Sequence, residues 1–266
     1  MNLNDIKCFI FDLDGTLYKG ETKVEKVEEV FELLDKKKKE YYFLTNDSAK
    51  DSKKIKDKLS KFNLEVEEEK IFTSGLATIM YINERKPKSK VFIVGTRSLE
   101  EEFENNDFTL VRDYNDIPDY VVVGLDKELT FEKICYACHY LFNGAEYLAT
   151  HPDVTCVTDN GERIPDIGAI MKMIEATTNM TPTVIGKPEK YMMIELFQKY
   201  NLDRFKKEEI LIIGDRPATD IKVGKAIGIN TILVLSGDTT KEEALKSEIK
   251  ADCIFDSIAD IIKYMD

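Results

Sequence analysis

The stretch CFIFDLDGTLY, residues 8–18, places two aspartates directly after a short apolar run. Asp12 and Asp14 are separated by Leu13 alone and are followed by Gly15. The apolar run predicts a buried β-strand, and packing gives no reason for two charges at its end. Ligands of open parallel sheets bind at the carboxyl ends of the strands, so the pair indicates a chemical site.

A calcium-binding EF-hand loop is the first alternative for closely spaced aspartates. The glycine of such a loop falls at the sixth position, whereas Gly15 is the fourth residue counted from Asp12. This spacing argues against an EF-hand.

The remainder of the chain predicts an α/β fold. Short β-rich runs alternate with helical patterns, which is typical of βαβ units around a parallel sheet. Ser48, followed three residues later by Asp51, resembles a signal for the start of a helix. The predicted strands are 8–11, 41–44, 91–94, 120–123, 146–149, 183–185, 210–213 and 231–235, and the predicted helices include 24–34, 48–62, 191–200 and 220–226.

Three further strand ends carry polar groups. Thr45 and Asn46 follow the second predicted strand, Lys187 follows the strand at 183–185, and GDRPATD (214–220) follows ILII. Taken singly, these are ordinary turn sequences. Their conjunction, each after a predicted strand, is harder to dismiss as turn sequence.

In this order, FDLDGTL, LTN, GKP and GDRPATD resemble the four motifs of the haloacid dehalogenase (HAD) superfamily. The resemblance covers the first and last parts of the chain and implies a Rossmann-like, doubly wound parallel sheet. It also implies a reaction. Asp12 would attack phosphorus to form an aspartyl-phosphate, and Asp14 would protonate the leaving alcohol and later deprotonate water. Dehalogenase branches lack an aspartate at the position of Asp14, so phosphate-ester hydrolysis is favoured.

The same resemblance implies a magnesium site. Asp12, the backbone carbonyl of Asp14, and Asp215 would hold Mg²⁺ through hard oxygen ligands. Asp220 would orient this acidic cluster without contacting the metal.

The phosphate-binding residues implied by the resemblance are Thr45, Asn46 and Lys187. The Thr45 hydroxyl, the backbone or amide of Asn46 and the Lys187 ammonium would stabilise charge on the phosphoryl oxygens. Gly15 would allow a tight turn after Asp12.

A second domain is predicted from the lengths between the motifs. The segment from Thr16 to Thr45 is about the size of one helix, whereas 46–187 far exceeds one crossover and contains three predicted strands. An α/β cap inserted at 82–183 would account for this excess, leaving 1–81 and 184–266 as the HAD-like catalytic core.

This cap position, with LVLSGDTT (233–240), resembles the NagD-like or p-nitrophenylphosphatase branch, HAD class IIA with a type-2 cap. Members are Mg²⁺-dependent phosphatases of small metabolites such as sugar phosphates, phosphoglycolate, glycerol phosphate or nucleoside monophosphates. The chain departs from the pattern of the branch at three positions. Asp166 replaces a common glycine, His151 replaces a common asparagine, and Asp47 replaces an asparagine of the second motif.

His151, Asp153 and Asp166 are therefore candidate specificity residues. Loop hydrogen bonding and helix capping are the alternative interpretation for each of them.

Other functions remain as alternatives. A phosphomutase or phosphotransferase would use the same aspartyl-phosphate, although mutases of this superfamily generally carry the cap in the earlier insertion. A receiver-type signalling domain carries its acceptor aspartate on a later strand and has no large insertion. A catalytically idle binding protein is disfavoured by the complete set of motifs.

The composition limits the partners. The 266 residues carry a formal net charge of −12, which disfavours nucleic acid and anionic membranes as partners and leaves a small phosphorylated metabolite. No apolar stretch is long enough to cross a bilayer, and MNLNDIK lacks the features of a secretory signal. Five cysteines without such a signal predict reduced, mostly buried thiols and a cytoplasmic protein. A homodimer is left open.

The sequence Cys135-x-x-Cys138-His139 fits a pattern for c-type haem attachment, and its residue types are also zinc ligands. Helix packing is the competing interpretation. Apolar residues recur at helical spacing and place both cysteines on one apolar face; they are Phe131, Ile134, Cys135, Cys138 and Leu141. Because no second Cys/His pair has ligand spacing, a buried helix face is favoured.

Overall fold

The computed structural model describes residues 1–157 and 162–265. The chain divides into two compact units. The first unit comprises Met1–Thr45, Ser52–Phe72 and Leu196–Asp266, and the second comprises Asn46–Asp51 and Thr73–Glu195.

Strands and helices alternate along the described residues. The strands are β1 Cys8–Phe11, β2 Tyr18–Lys19, β3 Thr22–Lys23, β4 Glu40–Thr45, β5 Ile71–Thr73, β6 Lys90–Val94, β7 Thr109–Leu110, β8 Tyr120–Val123, β9 Glu146–Ala149, β10 Thr155–Val157, β11 Arg163–Pro165, β12 Thr183–Val184, β13 Ile210–Gly214, β14 Asn230–Val234 and β15 Cys253–Phe255. The α-helices are α1 Val27–Lys36, α2 Ser52–Lys61, α3 Ser74–Arg85, α4 Arg97–Glu104, α5 Phe131–Phe142, α6 Ile167–Thr178, α7 Lys190–Tyr200, α8 Lys222–Ile227, α9 Lys241–Lys246 and α10 Asp260–Met265.

The first unit is built on a six-stranded sheet in the order β15-β14-β13-β1-β4-β5. Strand β1 lies between β13 and β4 and is parallel to both. All four residues of β1 are buried, as expected for a central strand covered on both faces. Phe31 of α1 packs on β1 and β4 with ring centroids 5.1 Å from Phe11 and 5.5 Å from Phe43. The predicted parallel α/β fold is confirmed.

The second unit contains a five-stranded sheet in the order β12-β9-β8-β6-β7, with parallel pairing throughout. Strands β6, β8 and β9 correspond to the three strands predicted within the insertion. Helices α5 and α6 pack on this sheet through a cluster that includes Ile134, Tyr140 and Ile170. The unit is wider than the predicted cap, and the cap bounds of 82–183 remain a prediction.

The predicted start of the second helix was wrong. Helix α2 begins at Ser52, and Ser48 lies four residues before it. The Ser48 hydroxyl accepts hydrogen bonds from the Leu125 N–H at 3.3 Å and from the Thr150 hydroxyl at 3.0 Å. A buried contact with residues distant in sequence therefore takes the oxygen that would have capped a helix.

Helix α5 confirms the helical interpretation of the Cys-x-x-Cys-His segment, but its apolar face is narrower than predicted. Cys138 is buried and Cys135 is half-buried, whereas Phe131 is 81% exposed. Phe131 is the first residue of the helix, one turn before the first buried position at Ile134.

The thiols are buried at two of the five cysteines, Cys8 and Cys138. All five cysteines are free, and three of them are half-buried, namely Cys135, Cys156 and Cys253. In the part of the chain that the structure describes, no helix has the length and apolar character needed to span a membrane.

Glu102 on α4 makes the stability of the second unit depend on pH. Burial raises the pKa of Glu102 from its ordinary value of 4.5 to about 7, and the Asp51 carboxylate adds to this shift. Between pH 4.5 and 7 the folded chain retains a proton that the unfolded chain loses, so stability falls as the pH rises through this window. Glu102→Gln should therefore raise the free energy of unfolding at pH 8 by about 1–2 kcal/mol.

Thermal and urea unfolding at pH 4 and pH 8 measure this effect. The gain should disappear at pH 4, where the glutamate is protonated in both states. Glu101→Gln is the matched control, because Glu101 is exposed on the same helix. An equal gain at both pH values would contradict the assignment.

Candidate active site

The turn after β1 holds the two aspartates of FDLDGTL apart. The Asp12 N–H donates to the Ile213 carbonyl at 2.9 Å, which extends the pairing with β13 by one residue. Leu13 is buried in the core, and Asp14 beyond it is exposed. Gly15 has a φ of +82°, and its N–H donates to the Tyr18 carbonyl at 2.6 Å. The two aspartates thus lie on either side of the buried Leu13, at the carboxyl end of β1.

Three carboxylates meet at the ends of β1 and β13. Oxygens of Asp12, Asp215 and Asp220 lie within 4.8 Å of one another. Asp215 and Asp220 are almost fully buried, and Asp12 is 9% exposed. Burial raises the pKa of the Asp215 carboxyl to about 7, with the charge of Asp220 as the next cause. Like charges held together out of water favour protonation or a bound cation.

The two oxygens of Asp215 have different environments. Oδ2 accepts a hydrogen bond from the Asp238 N–H at 2.7 Å. Oδ1 is buried and has no hydrogen-bond partner among the described residues. An unpaired buried carboxylate oxygen is costly, and a hard divalent cation prefers oxygen ligands of this kind. The cluster therefore fits a metal such as Mg²⁺.

The metal ligands predicted from sequence overlap with this cluster. Asp12 and Asp215 belong to it, and Asp220 is brought equally close, whereas the Asp14 carboxylate is not a member. The predicted ligand at Asp14 is its backbone carbonyl, and that role remains a prediction. Asp220 lies in the π-helical segment Pro217–Ile221, and its Oδ2 accepts from the Arg216 N–H at 3.2 Å and the Thr219 hydroxyl at 3.3 Å.

Two glycines allow backbone to approach Asp215 closely. A Cβ atom at Gly15 would lie 2.3 Å from Asp215 Oδ2, and one at Gly237 would lie 2.0 Å from the same atom. Both distances are far below van der Waals contact, so a side chain at either position would displace the carboxylate. Gly15 was predicted from its turn, whereas sequence reasoning assigned no role to Gly237.

The segment Ser236–Asp238 is the main part of the site that sequence reasoning missed. The Ser236 hydroxyl donates to the Gly15 carbonyl at 2.8 Å, and the Lys19 ammonium donates to the Gly237 carbonyl at 2.9 Å. The Arg216 guanidinium pairs with the Asp238 carboxylate at 2.7 Å. LVLSGDTT signalled a family branch, and its position after a strand of the same sheet could have indicated this role.

Two threonines of the first unit are buried, one in the turn after β1 and one at the end of β4. Thr16 is fully buried, and its hydroxyl lies 3.5 Å from Asp12 Oδ2. Thr45, a predicted phosphate-binding residue, ends β4 and is buried. The short antiparallel pair β2–β3 follows the turn at Gly15 and was not predicted. It carries Lys19, which holds the Gly237 carbonyl.

In the second unit, Asn46 and Lys187 are hydrogen-bonded to each other. The Lys187 N–H donates to Asn46 Oδ1, and Asn46 Nδ2 donates to the Lys187 carbonyl, each at 2.9 Å. Asn46 Nδ2 also donates to Asp153 Oδ2 at 3.2 Å. The side-chain amide of Asn46 is engaged by these partners. The phosphate contact predicted for Asn46 would therefore come from its backbone.

The candidate specificity residues lie together in the second unit. His151 and Asp166 are buried, and the imidazole lies between the carboxylates of Asp153 and Asp166. Asp166 also caps α6 by accepting from the Ile167 N–H at 2.7 Å. Asp47 accepts from the Ala49 N–H at 2.8 Å in a turn.

Known proteins resemble this chain over nearly its whole length. Residues 9–109 match a family described as haloacid dehalogenase-like hydrolase, and residues 184–261 match one described as HAD-hydrolase-like. The 5'-nucleotidase YutF of Bacillus subtilis is 32% identical over 97% of this chain and 98% of its own length. An acid sugar phosphatase of Staphylococcus saprophyticus is 31% identical over 99% and 100%, respectively. The crystal structure of 4-nitrophenylphosphatase from Thermotoga maritima has a TM-score of 0.92 and 36% identity, covering 99% of each chain.

The sheet order, the acidic cluster and these similarities define the class of protein. The chain belongs to the haloacid dehalogenase superfamily, as its four motifs predicted. Within that superfamily it falls in the NagD-like, p-nitrophenylphosphatase branch and is a phosphoric monoester hydrolase.

Gly237→Ala tests whether the close backbone approach positions Asp215. The added methyl group should push the carboxylate aside while the sheet remains folded, because the nearest atoms belong to one side chain. Hydrolysis of p-nitrophenyl phosphate should fall by about 100-fold, as expected when a catalytic group is misplaced by about 1 Å.

Gly144→Ala serves as the control, because Gly144 has a φ of +95° with nothing within 4 Å of an added Cβ. It should cost about 1 kcal/mol of stability and leave turnover unchanged. Circular dichroism checks the fold of both variants. Wild-type turnover in a folded Gly237→Ala protein would refute the role of Gly237.

Proposed function

We propose that the protein is a Mg²⁺-dependent phosphatase of small phosphorylated metabolites that acts through an aspartyl-phosphate on Asp12. The observation that carries the proposal is the buried group formed by Asp12, Asp215 and Asp220, in which Asp215 Oδ1 has no hydrogen-bond partner among the described residues.

The residues proposed to hold the metal are Asp12 and Asp215 through their carboxylates and Asp14 through its backbone carbonyl. Bound there, Mg²⁺ would offset the repulsion between the Asp12 carboxylate and the negative charge of a phosphate ester. Asp220 keeps its position through the Arg216 N–H and the Thr219 hydroxyl and supports the cluster from beside it.

In the proposed first step, an Asp12 oxygen attacks phosphorus and the bond from phosphorus to the ester oxygen breaks. Asp14 gives its proton to the departing alkoxide, which leaves as an alcohol. In the second step, water attacks phosphorus while Asp14 takes a proton from it. The bond between phosphorus and Asp12 breaks, and inorganic phosphate leaves. The exposure of Asp14 supports this role, because the water of the second step can reach its carboxylate.

Thr45, Asn46 and Lys187 are proposed to bind the phosphoryl oxygens. Lys187 is buried and its backbone is held on both sides by the Asn46 amide. An ammonium placed by fixed backbone attracts the charged phosphoryl oxygens of the bound ester without reorganisation. Thr45 would contribute its hydroxyl.

The proposed substrates are sugar phosphates, phosphoglycolate, glycerol phosphate or nucleoside monophosphates. The relatives support this range, because their names include a nucleotidase, an acid sugar phosphatase and a nitrophenylphosphatase. The net charge of −12 favours a small anion over a polyanion. A cytoplasmic location is part of the proposal and is supported by the five free cysteines.

Hydrolysis of p-nitrophenyl phosphate tests the metal and the nucleophile together. Turnover should require Mg²⁺, stop on addition of a chelator and return with excess Mg²⁺. Asp12→Asn should lower kcat by about 10⁴-fold or more, because an amide cannot form the covalent intermediate. Asp57→Asn is the control, since Asp57 is an exposed aspartate of α2. Activity that resists chelation would refute the metal site.

The intermediate can be trapped chemically. Borohydride reduces an acyl phosphate to an alcohol, so protein quenched during turnover should contain homoserine in place of Asp12. Mass spectrometry of the peptide containing residues 8–18 detects the change. Absence of homoserine at Asp12, in a protein that turns over, would contradict covalent catalysis. Transfer of the phosphoryl group to an alcohol instead of water would favour a phosphotransferase.

A further inference from the structure

His151 lies buried between two carboxylates of the second unit. The ring is 3% exposed, with Nδ1 3.4 Å from Asp153 Oδ2 and Nε2 3.8 Å from Asp166 Oδ1. The Asp153 N–H donates to Nδ1 at 3.3 Å. In a neutral imidazole one nitrogen accepts and the other carries the proton. The contact at Nδ1 therefore places the proton on Nε2, which faces Asp166.

Asp166 is held by the helix that it caps. Its Oδ1 accepts from the Ile167 N–H at 2.7 Å, and the side chain is 5% exposed. The same oxygen is the nearest carboxylate atom to His151 Nε2. The start of α6 thus fixes the carboxylate that faces the imidazole.

On its other side, His151 orients the loop that reaches Asn46. The Asp153 backbone donates to the imidazole, and the Asp153 carboxylate accepts from Asn46 Nδ2 at 3.2 Å. Asn46 is in turn bonded twice to the backbone of Lys187. A continuous series of polar contacts therefore runs from the start of α6 to Lys187. We call it the relay, consisting of Asp166, His151, Asp153, Asn46 and Lys187.

We propose that His151 and Asp166 are positioning residues that set phosphate affinity by fixing Asn46 and Lys187 through this relay. The inference rests on the proposed function, because it assigns phosphate binding to Lys187. His151 is the link on which the relay depends, since its two nitrogens face different carboxylates. Its loss should act on binding of the phosphoryl group more than on the chemical steps, because the relay contains neither Asp12 nor Asp14.

Three substitutions separate positioning from packing. His151→Phe keeps a buried ring without nitrogen atoms and should break the relay. His151→Asn keeps an acceptor near the position of Nδ1 and should retain the contact with the Asp153 N–H. Asp166→Asn keeps an oxygen to cap α6 and removes the charge that faces His151.

The measurements are KM and kcat for p-nitrophenyl phosphate and the dissociation constant of inorganic phosphate by calorimetry, all with Mg²⁺. His151→Phe should raise KM and the dissociation constant about tenfold, with a smaller change in kcat. His151→Asn should restore most of this affinity. Introduced alone, Asp166→Asn should weaken phosphate binding. Introduced together with His151→Phe, it should weaken phosphate binding no further. Unchanged phosphate affinity in His151→Phe, or strictly additive effects, would overturn the inference.

A spectroscopic measurement needs no substitution at position 151. The chain has two histidines, so in His139→Gln the one remaining imidazole is that of His151. Nitrogen chemical shifts at neutral pH should show a bare Nδ1 and a protonated Nε2. If the enzyme is active and the proton is found on Nδ1 instead of Nε2, the inference is overturned. A protein that hydrolyses no phosphate ester, but binds phosphate in a relay-dependent way, would refute the proposed function and retain the inference.

Discussion

The repulsion between Asp12, Asp215 and Asp220 is the constraint on which the first unit depends. Three carboxylates in a buried cluster cost free energy. The fold holds them there through the backbone of the strands and loops around them. The parallel pairing of β1 with β13 sets the first two side by side. Gly15 and Gly237 then let two loops close on Asp215. The arrangement fits a bound cation, and without one the buried charges are costly.

Much of this site could be predicted from the sequence, because parallel topology converts spacing along the chain into proximity. Polar residues after parallel strands lie at the same end of the sheet, and the resemblance to the superfamily then brought Asp12 and Asp215 together. Asn46 and Lys187 were likewise recognised after their strands. The structure joins them directly through two hydrogen bonds.

Other features could not be predicted, because they depend on contacts between residues distant in sequence. Ser48 appeared to be a helix cap, but its hydroxyl bonds with Leu125 and Thr150, far along the chain. The role of Gly237 was missed although its position after a strand was known, because that role depends on an Asp215 side chain that reaches it only in the folded sheet. The relay to Asp166 combines residues from four segments of the chain. Local patterns describe elements well, whereas these contacts exist only after the elements have packed.

Thermal unfolding at pH 8 with increasing Mg²⁺, for the wild type and for Asp215→Asn, measures most directly whether the buried carboxylates bind the metal. A ligand that binds the folded state alone stabilises it by about 2.7 kcal/mol at 100 times its dissociation constant. The wild type should therefore gain several degrees in Tm as Mg²⁺ rises. Asp215→Asn should be the more stable protein without metal, because it lacks the buried charge, and should gain little with it. An equal Mg²⁺ response in both proteins, or none in the wild type, would contradict the account.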